Sequence, residues 1–150
     1  MLSIQLHKTP LAASYQHHLD GLQAFIVEDD AHSLVAISNA LSEFGATYKR
    51  NTTGLNVVDQ ITKCQPDFVL LNLDLPFGDP VAIREHLNNT PTTTHIPVIA
   101  VADANSFVDD DWLEAHRFSA LLTKPIPRSQ LPELIHTVLD EDESAARFIS

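Results

Sequence analysis

The sequence predicts an α/β protein in which five parallel strands alternate with five helices, forming one doubly wound (βα)5 sheet. Short apolar runs alternate with amphipathic helical patterns over residues 21–140, and no internal repeat or low-complexity linker interrupts them. A chain of 150 residues is long enough for one buried core. We therefore predict an N-terminal leader at 1–20, one domain at 21–140, and an acidic C-terminal tail or the start of a linker at 141–150.

The sequence of the first half of the domain predicts three strands and two helices. Residues 22–27 are a nearly continuous apolar run, which indicates a buried strand. Apolar residues spaced three and four apart then predict a helix that ends before Gly45, with an inner face formed by Leu34, Ile37, Leu41 and Phe44. Residues 46–50 predict a weaker strand. Residues 53–63 predict a helix with Leu55, Val58 and Ile61 inward, and residues 68–71 a strongly apolar strand.

The second half continues the alternation. A loop at 73–79 precedes a short helix at 81–87, and residues 96–101 predict the fourth strand. Ser106 is expected to cap the fourth helix, with Asp109 in the capping-box position. The inner stripe of that helix is predicted to be Val108, Trp112 and Ala115. Residues 118–122 predict the fifth strand, and the last helix is predicted to bury Leu131, Leu134, Ile135 and Val138.

Composition excludes several classes of function. Nine Lys and Arg residues face twenty Asp and Glu, and a net charge of −11 repels nucleic-acid phosphates, so we expect no direct nucleic-acid binding. The single cysteine, Cys64, permits no internal disulfide, which suits the cytoplasm. No apolar run is long enough to span a membrane, and the eight histidines are too scattered for a metal centre.

Polar residues follow four of the predicted strands. Ligand sites in open parallel sheets lie beyond the carboxyl ends of the strands. That rule selects the segments 28–30, 72–74, 102–103 and 123–124. Two carboxylates, Glu28 and Asp29, would there face the ammonium of Lys124. Such a set suits a hard cation such as Mg²⁺ together with a phosphate.

Four segments resemble response-regulator receiver domains. They are A-F-I-V-E-D-D at 24–30, P-D-F-V-L-L-N-L-D-L-P at 66–76, I-P-V-I at 96–99 and L-T-K-P at 122–125. The resemblance implies the flavodoxin-like, CheY-like version of the (βα)5 fold. It also implies that Glu28 and Asp29 are the acidic pair of the phosphorylation pocket and that Lys124 is its lysine.

The departures from the receiver pattern affect the acceptor, the sensor and the switch. In receivers the residue at the position of Asn72 is the aspartate that takes the phosphoryl group. Here it is an amide, which carries no charge and is a poor nucleophile. The hydroxyl that senses the phosphate falls at Ala102, whose methyl group donates no hydrogen bond. The aromatic switch residue falls at Leu121, and the usual Asp-Gly is Asp79-Pro80. The resemblance therefore implies a degenerate phosphorylation pocket.

A laboratory substitution would explain Asn72 but not Ala102 and Leu121, so we interpret the changes as natural degeneracy.

Two interpretations of the charged residues in this pocket stay open. Glu28 and Asp29 are expected to be partly buried and neutralised by Lys124 as a structural ion pair. The alternative is that the same two carboxylates bind a metal, in which case we expect weak Mg²⁺ binding at most and no other cofactor.

The expected function is that of a non-enzymatic, phosphorylation-independent receiver module in two-component-type regulation. Its partner would be another protein, an output domain or a second copy, bound through the face of helix 4, strand 5 and helix 5. Phe107 and Trp112 are candidates for that face, although Phe107 also fits a singly exposed aromatic residue. One alternative is an Mg²⁺-dependent phosphoacceptor that uses Asp74. The other is a small-molecule sensor, although no glycine-rich phosphate loop supports it.

Overall fold

The computed structural model describes residues 18–149, with side chains described to residue 141. Strands and helices alternate in this range as the sequence predicts, with bounds that differ by a few residues. The first half contains β1 (Gln23–Val27), α1 (Ala31–Glu43), β2 (Thr47–Asn51), α2 (Val57–Cys64) and β3 (Phe68–Asn72). The second half contains α3 (Pro80–Asn89), β4 (Val98–Asp103), α4 (Asp110–Ala115), β5 (Ala120–Lys124), a 3₁₀ turn (Arg128–Gln130) and α5 (Leu131–Ile149).

The strands form one parallel sheet in the order β2-β1-β3-β4-β5. The predicted doubly wound (βα)5 architecture is therefore confirmed. β1 and β3 are neighbours, with Val27 paired to Leu71, so the residues that follow them lie side by side. On β4 and β5, the last two strands of the sheet, Ala102 pairs with Thr123 and Asp103 with Lys124. The carboxyl ends of the strands thus bring the polar segments selected from the sequence to one edge.

Each face of the sheet has its own apolar core. On one face, α1 and α5 pack over the sheet through residues that include Ile37, Leu41, Leu131 and Ile135. On the other face, α2, α3 and α4 pack through residues that include Ile61, Leu87 and Leu113. All five residues of β3 are buried, as expected for a central strand covered on both sides. This double burial explains the continuous apolar runs in the sequence.

Both ends of the predicted domain continue into helical or buried structure. Leu19 lies in the predicted leader, but it is fully buried, and its N–H donates to the carbonyl of Phe44 at 2.8 Å. The remainder of that leader, residues 1–17, lies outside the described residues. At the other end, α5 continues through the acidic run to Ile149. Within 18–149, no helix combines the length and apolar character needed to cross a membrane.

The predicted start of α2 is wrong by four residues. The helix begins at Val57, and Leu55, which was expected to face inward, is 55% exposed. The reason is the side chain of Asn51, which accepts the N–H of Gly54 at 2.8 Å and donates to the carbonyl of Leu55 at 2.7 Å. These bonds hold the segment before the helix as a turn. Val57 and Ile61 provide the buried face instead.

The predicted cap and inner stripe of α4 also need correction. Asp109 is the N-cap, and its Oδ1 accepts the N–H of Trp112 at 2.9 Å, whereas Ser106 lies outside the helix. Aspartate is a favoured N-cap, and the two acidic residues of the first turn suit the positive end of the helix dipole. The buried residue of α4 is Leu113, while Ala115 is exposed. Phe107 precedes the helix rather than lying on it.

Candidate functional site

The carboxyl edge of the sheet gathers Glu28, Asp29, Asn72 and Lys124. Glu28 and Asp29 directly follow β1, Asn72 ends β3, and Lys124 ends β5. The N–H of Glu28 donates to the carbonyl of Asn51 at 3.1 Å, which extends the pairing of β1 and β2 beyond the strand end. The residues that the sequence places in the pocket therefore do come together: Asn72 and Lys124 lie on strands, and Glu28 and Asp29 directly follow one.

Asn72 bridges the two carboxylates. Its side-chain nitrogen Nδ2 donates to Oε2 of Glu28 at 2.8 Å and to Oδ1 of Asp29 at 3.0 Å. Its Oδ1 accepts the N–H of Asp74 at 3.1 Å. Because two acceptors lie on one side and a donor on the other, only one orientation of the amide satisfies all three bonds. Asn72 is 2% exposed, and its bond to Glu28 is buried, whereas the bonds that involve the exposed Asp29 and Asp74 are partly buried.

Glu28 is the buried charge of the site. Its side chain is 1% exposed, and Oε1 lies 3.1 Å from Nζ of Lys124. Its Oε2 accepts the N–H of Asp30 at 3.1 Å in addition to the Asn72 bond. Burial raises the pKa of this carboxyl, although the Asp30 N–H and the Lys124 ammonium both act in the opposite direction. Oε2 thus accepts from an amide and a backbone N–H, whereas Oε1 has the Lys124 ion pair but no hydrogen bond among the described residues.

The two carboxylates are not equivalent. The expectation that Asp29 is partly buried is wrong, because its side chain is exposed. In the described part of the chain Lys124 forms its ion pair with Glu28, and Asp29 is held by the Asn72 amide instead. The difference follows from the strand end, where successive side chains point in different directions. The sequence did not predict that the Asn72 amide donates to both carboxylates and so reduces their repulsion.

The sensor and switch positions lie on the two strands beyond β3. Ala102 is fully buried near the end of β4, where it offers only a methyl group. Leu121 is partly buried on β5, paired with Ala100. It lines two adjoining open grooves, which share Leu121 and Leu134 of α5. The α4–β5–α5 face therefore carries a shallow, partly apolar surface centred on these two leucines.

The two aromatic residues proposed for a partner face differ in their surroundings. Phe107 is fully exposed. Trp112 is partly buried and stacks on Phe118, with ring centroids 5.5 Å apart and 9° between the planes. Its ring also lies 4.5 Å from that of His116. Trp112 thus packs within the domain, and Phe107 is the aromatic residue that this surface offers to solvent.

Sequence reasoning missed two residues that shape the pocket. Asp30 is the N-cap of α1, since its Oδ2 accepts from the N–H of Ser33 at 2.9 Å and from its hydroxyl at 2.7 Å. These bonds lower the pKa of Asp30. Asn51 is buried at the end of β2 and organises the loop to α2. The signals were present: an aspartate three residues before a serine, and an asparagine between a strand and Thr-Thr-Gly.

The donor set does not fit a three-carboxylate Mg²⁺ site. An amide NH₂ points at the space between Glu28 and Asp29, where a cation would require oxygen ligands. Over the described residues no group of three or more His, Cys, Asp or Glu side chains is arranged to hold a metal ion. Asp74, the alternative acceptor, is exposed, and the structure places only its backbone N–H against Asn72.

Comparison with known proteins identifies the family. The family model described as the response regulator receiver domain matches residues 24–136. The polar-differentiation response regulator DivK of Brucella ovis is 26% identical over 113 residues, which span 75% of this chain and 89% of DivK.

Solved structures agree on the fold. The receiver domain of a CheY-like response regulator from Methylobacillus flagellatus superposes with a TM-score of 0.68 at 22% identity, covering 78% of this chain and 98% of that one. The N-terminal domain of the nisin resistance regulator NsrR gives 0.71 at 22% identity, covering 80% and 99%. The family match, the sheet order and the pocket at the strand ends lead to one conclusion: this chain belongs to the response-regulator receiver family of two-component signalling.

Proposed function

We propose that this chain is a pseudo-receiver, whose pocket is held in one arrangement without phosphorylation and which signals by binding another protein. The observation that carries the proposal is the Asn72 amide, which donates to Glu28 and Asp29 at 2.8 and 3.0 Å. A phosphoacceptor carboxylate at this point would bring a third negative charge to the pocket and would need a cation. The amide satisfies both acids with no charge and no metal.

The chemistry of the amide argues against phosphoryl transfer. Its oxygen is neutral and already accepts the Asp74 N–H, so it is a poor nucleophile toward a phosphoryl group. Transfer would also need an anionic acceptor beside Mg²⁺ and a lysine. Asp74 is exposed, two residues beyond the end of β3, and among residues 18–141 no hydrogen bond or ion pair holds its carboxylate in the pocket. We therefore expect no Mg²⁺-dependent phosphoacceptor activity from either residue.

The conformational response should be lost as well. A ligand shifts an equilibrium between two states only by its difference in affinity for them. In a receiver that difference would arise at the end of β4 and on β5, where this chain has Ala102 and Leu121. A methyl group cannot donate to a phosphoryl oxygen, and leucine has no ring edge or hydroxyl to relocate. One arrangement of the α4–β5–α5 face is therefore fixed, or is selected by the partner.

That face is also the proposed binding surface. One of the two grooves around Leu121 and Leu134 is also lined by Leu113 of α4, and the fully exposed Phe107 precedes α4. Apolar side chains exposed beside a shallow groove suit a protein partner rather than a small molecule. An output domain and a second copy of the chain are both compatible with this surface.

Incubation with acetyl phosphate and Mg²⁺, followed by intact-mass measurement, tests the proposal. We expect an unchanged mass. A stoichiometric phosphoryl adduct would contradict the proposal, and peptide mapping would show whether Asp74 carries it. A melting-temperature screen against nucleotides tests the remaining alternative, a small-molecule sensor, for which no shift is expected.

A further inference from the structure

Strand β2 forms an open edge of the sheet. The strand order places it beside β1, with no further strand on its outer side among the described residues. The N–H of Thr47 and the carbonyl of Asn51 bond to residues that flank β1, at 3.0 and 3.1 Å, so both face inward. Because alternate residues of a strand direct their backbone groups to opposite sides, Tyr48 and Arg50 present theirs at the outer side. This edge can therefore accept another extended segment.

A groove with a positive rim adjoins that edge. It has a volume of about 340 Å³, lies between β2 and α2, and is lined by Phe25, Lys49, Arg50, Gln60, Lys63 and Cys64. The three cations are exposed, whereas Phe25 is buried at the base. A side chain that enters the groove would thus meet apolar surface below and positive charge at the rim.

Carboxylates do little to compensate these cations. Among residues 18–141 neither Lys49 nor Arg50 has a carboxylate within ion-pair distance, although ion pairs form elsewhere on the molecule. Lys63 pairs with Asp59 at 3.2 Å, but both side chains are exposed, and an exposed pair of this kind contributes little. The groove is therefore a positive surface on a chain whose net charge is −11.

We propose that the open edge of β2 and this groove, together the β2 edge site, bind an acidic segment of a partner protein in extended conformation. Backbone hydrogen bonds to Tyr48 and Arg50 would add the segment to the sheet as a further strand, and its carboxylates would face Lys49 and Lys63. The surface lies at the opposite edge of the sheet from β5, so the proposal does not depend on the α4–β5–α5 face or on the Asn72 pocket.

The open backbone distinguishes this occupant from other anionic ones. Nucleic acids and lipid headgroups also carry negative charge, but they do not offer the alternating N–H and C=O groups that pair with a strand edge. The net charge of the chain also repels extended polyanions. Cations on an edge strand oppose pairing with the β2 strand of a second copy, whereas they favour a strand of opposite charge.

A short fluorescent peptide that alternates valine and glutamate tests the site by anisotropy at low ionic strength. We expect saturable binding that weakens as sodium chloride is added, and no binding of the same peptide with lysine in place of glutamate. Amide shifts should centre on residues 47–51 and 60–64, and solvent exchange of the Tyr48 and Arg50 N–H groups should slow. Two further peptides carry N-methyl groups on all valines or on all glutamates. One of these should lose binding and the other should keep it, because only one edge of the peptide faces β2.

Variants test the contribution of the cations. Lys49→Gln and Lys63→Gln should each weaken binding by about twofold to fivefold, as expected for exposed charge pairs, and by about tenfold together. Arg117→Gln removes an exposed cation that precedes β5, at the other edge of the sheet, and should leave binding unchanged. All three side chains are exposed, so these variants should fold.

Several results would overturn the proposal. They are no saturable binding of the glutamate peptide, equal binding of the two N-methylated peptides, and equal binding by the wild type and the Lys49→Gln, Lys63→Gln double variant. Tighter binding of a single-stranded oligonucleotide or of vesicles with anionic lipid, dependent on the same two lysines, would contradict a peptide occupant. A salt-sensitive dimer that the double variant does not form would assign the edge to a second copy instead.

Discussion

Nδ2 of Asn72 lies 2.8 Å from Oε2 of Glu28, so the residue at the phosphoacceptor position donates a hydrogen bond to the acidic pocket. An aspartate at this place could only accept. The substitution therefore changes more than the nucleophile, because the Asn72 amide bridges the two carboxylates and, together with Lys124, stabilises them without a metal ion.

Asn72→Asp should destabilise the protein in the absence of divalent cations. It replaces two hydrogen-bond donors with a negative charge beside Glu28 and Asp29, for which we expect a loss of about 1–3 kcal/mol in the free energy of unfolding. Mg²⁺ should recover part of that loss in the variant and should not stabilise the wild type. Urea denaturation with EDTA or with Mg²⁺ measures both. Asn89→Asp, on the exposed end of α3, is the matched control. A variant as stable as the wild type in EDTA would refute the bridging role of the amide.

Lys124→Ala should also lower stability, by about 1–3 kcal/mol, because it leaves Glu28 buried without its cation. The lower end applies if water enters the space, since the Lys124 side chain is 16% exposed. Lys63→Ala is the control: it removes an ion pair of similar length, 3.2 Å to Asp59, whose side chains are 77% and 68% exposed. An equal denaturation midpoint for Lys124→Ala and the wild type would show that the pocket is solvated.

Glu28→Gln should change the pH dependence of stability. The folded pKa of Glu28 is raised above its ordinary value of 4.5, so the folded state holds this proton more tightly than the unfolded chain. The stabilising contribution is then present below pH 4.5 and is lost as the pH rises through the folded pKa. Relative to Glu28→Gln, the wild type should lose stability as the pH rises above 4.5 and through the folded pKa of Glu28. Denaturation curves of both proteins across that range provide the measurement. The difference between the two free energies of unfolding removes the contributions of titratable groups that both proteins share. A difference that is constant with pH would mean that burial does not disfavour the charge of Glu28.

Asp109→Ala should cost about 0.5–2 kcal/mol, as expected for the loss of a helix N-cap. The Oδ1 of Asp109 accepts the N–H of Trp112, whereas Ser106 precedes the helix. Ser106→Ala should therefore be close to neutral. The pair of variants tests the corrected start of α4, and a larger effect for Ser106→Ala would restore the position predicted from the sequence.

Phosphorylation of Asn72→Asp should not restore a normal switch. The new carboxylate beside Lys124 should accept a phosphoryl group from acetyl phosphate, but Ala102 still lacks a donor. Amide spectra of phosphorylated Asn72→Asp should change little on α4, and those of Asn72→Asp with Ala102→Thr should change more. A large response in the single variant would show that the switch is intact apart from its acceptor.

The parts of the structure that periodicity controls could be predicted from the sequence. The apolar stripe of α1, from Leu34 to Phe44, and the fully buried β3 follow from spacing alone. Side-chain bonds to the backbone have weaker sequence signals, such as an asparagine before Thr-Thr-Gly. These bonds set the observed starts of α2, through Asn51, and of α4, through Asp109. Motif spacing predicted that Glu28, Asn72 and Lys124 lie close together. It did not predict the direction in which the Asn72 amide points. The burial of Arg84 on α3 could not be predicted, because an arginine inside a helical pattern is usually exposed.

The amide spectrum of the wild-type chain, recorded before and after addition of acetyl phosphate and Mg²⁺, tests the central claim most directly. If Asn72 holds the pocket in one arrangement, signals from β4, α4 and β5 should keep their positions, and so should the Asn72 side-chain amide. A concerted shift across α4 and β5, with or without a phosphoryl adduct, would contradict the account, because it would show that the phosphodonor or the metal still moves the switch.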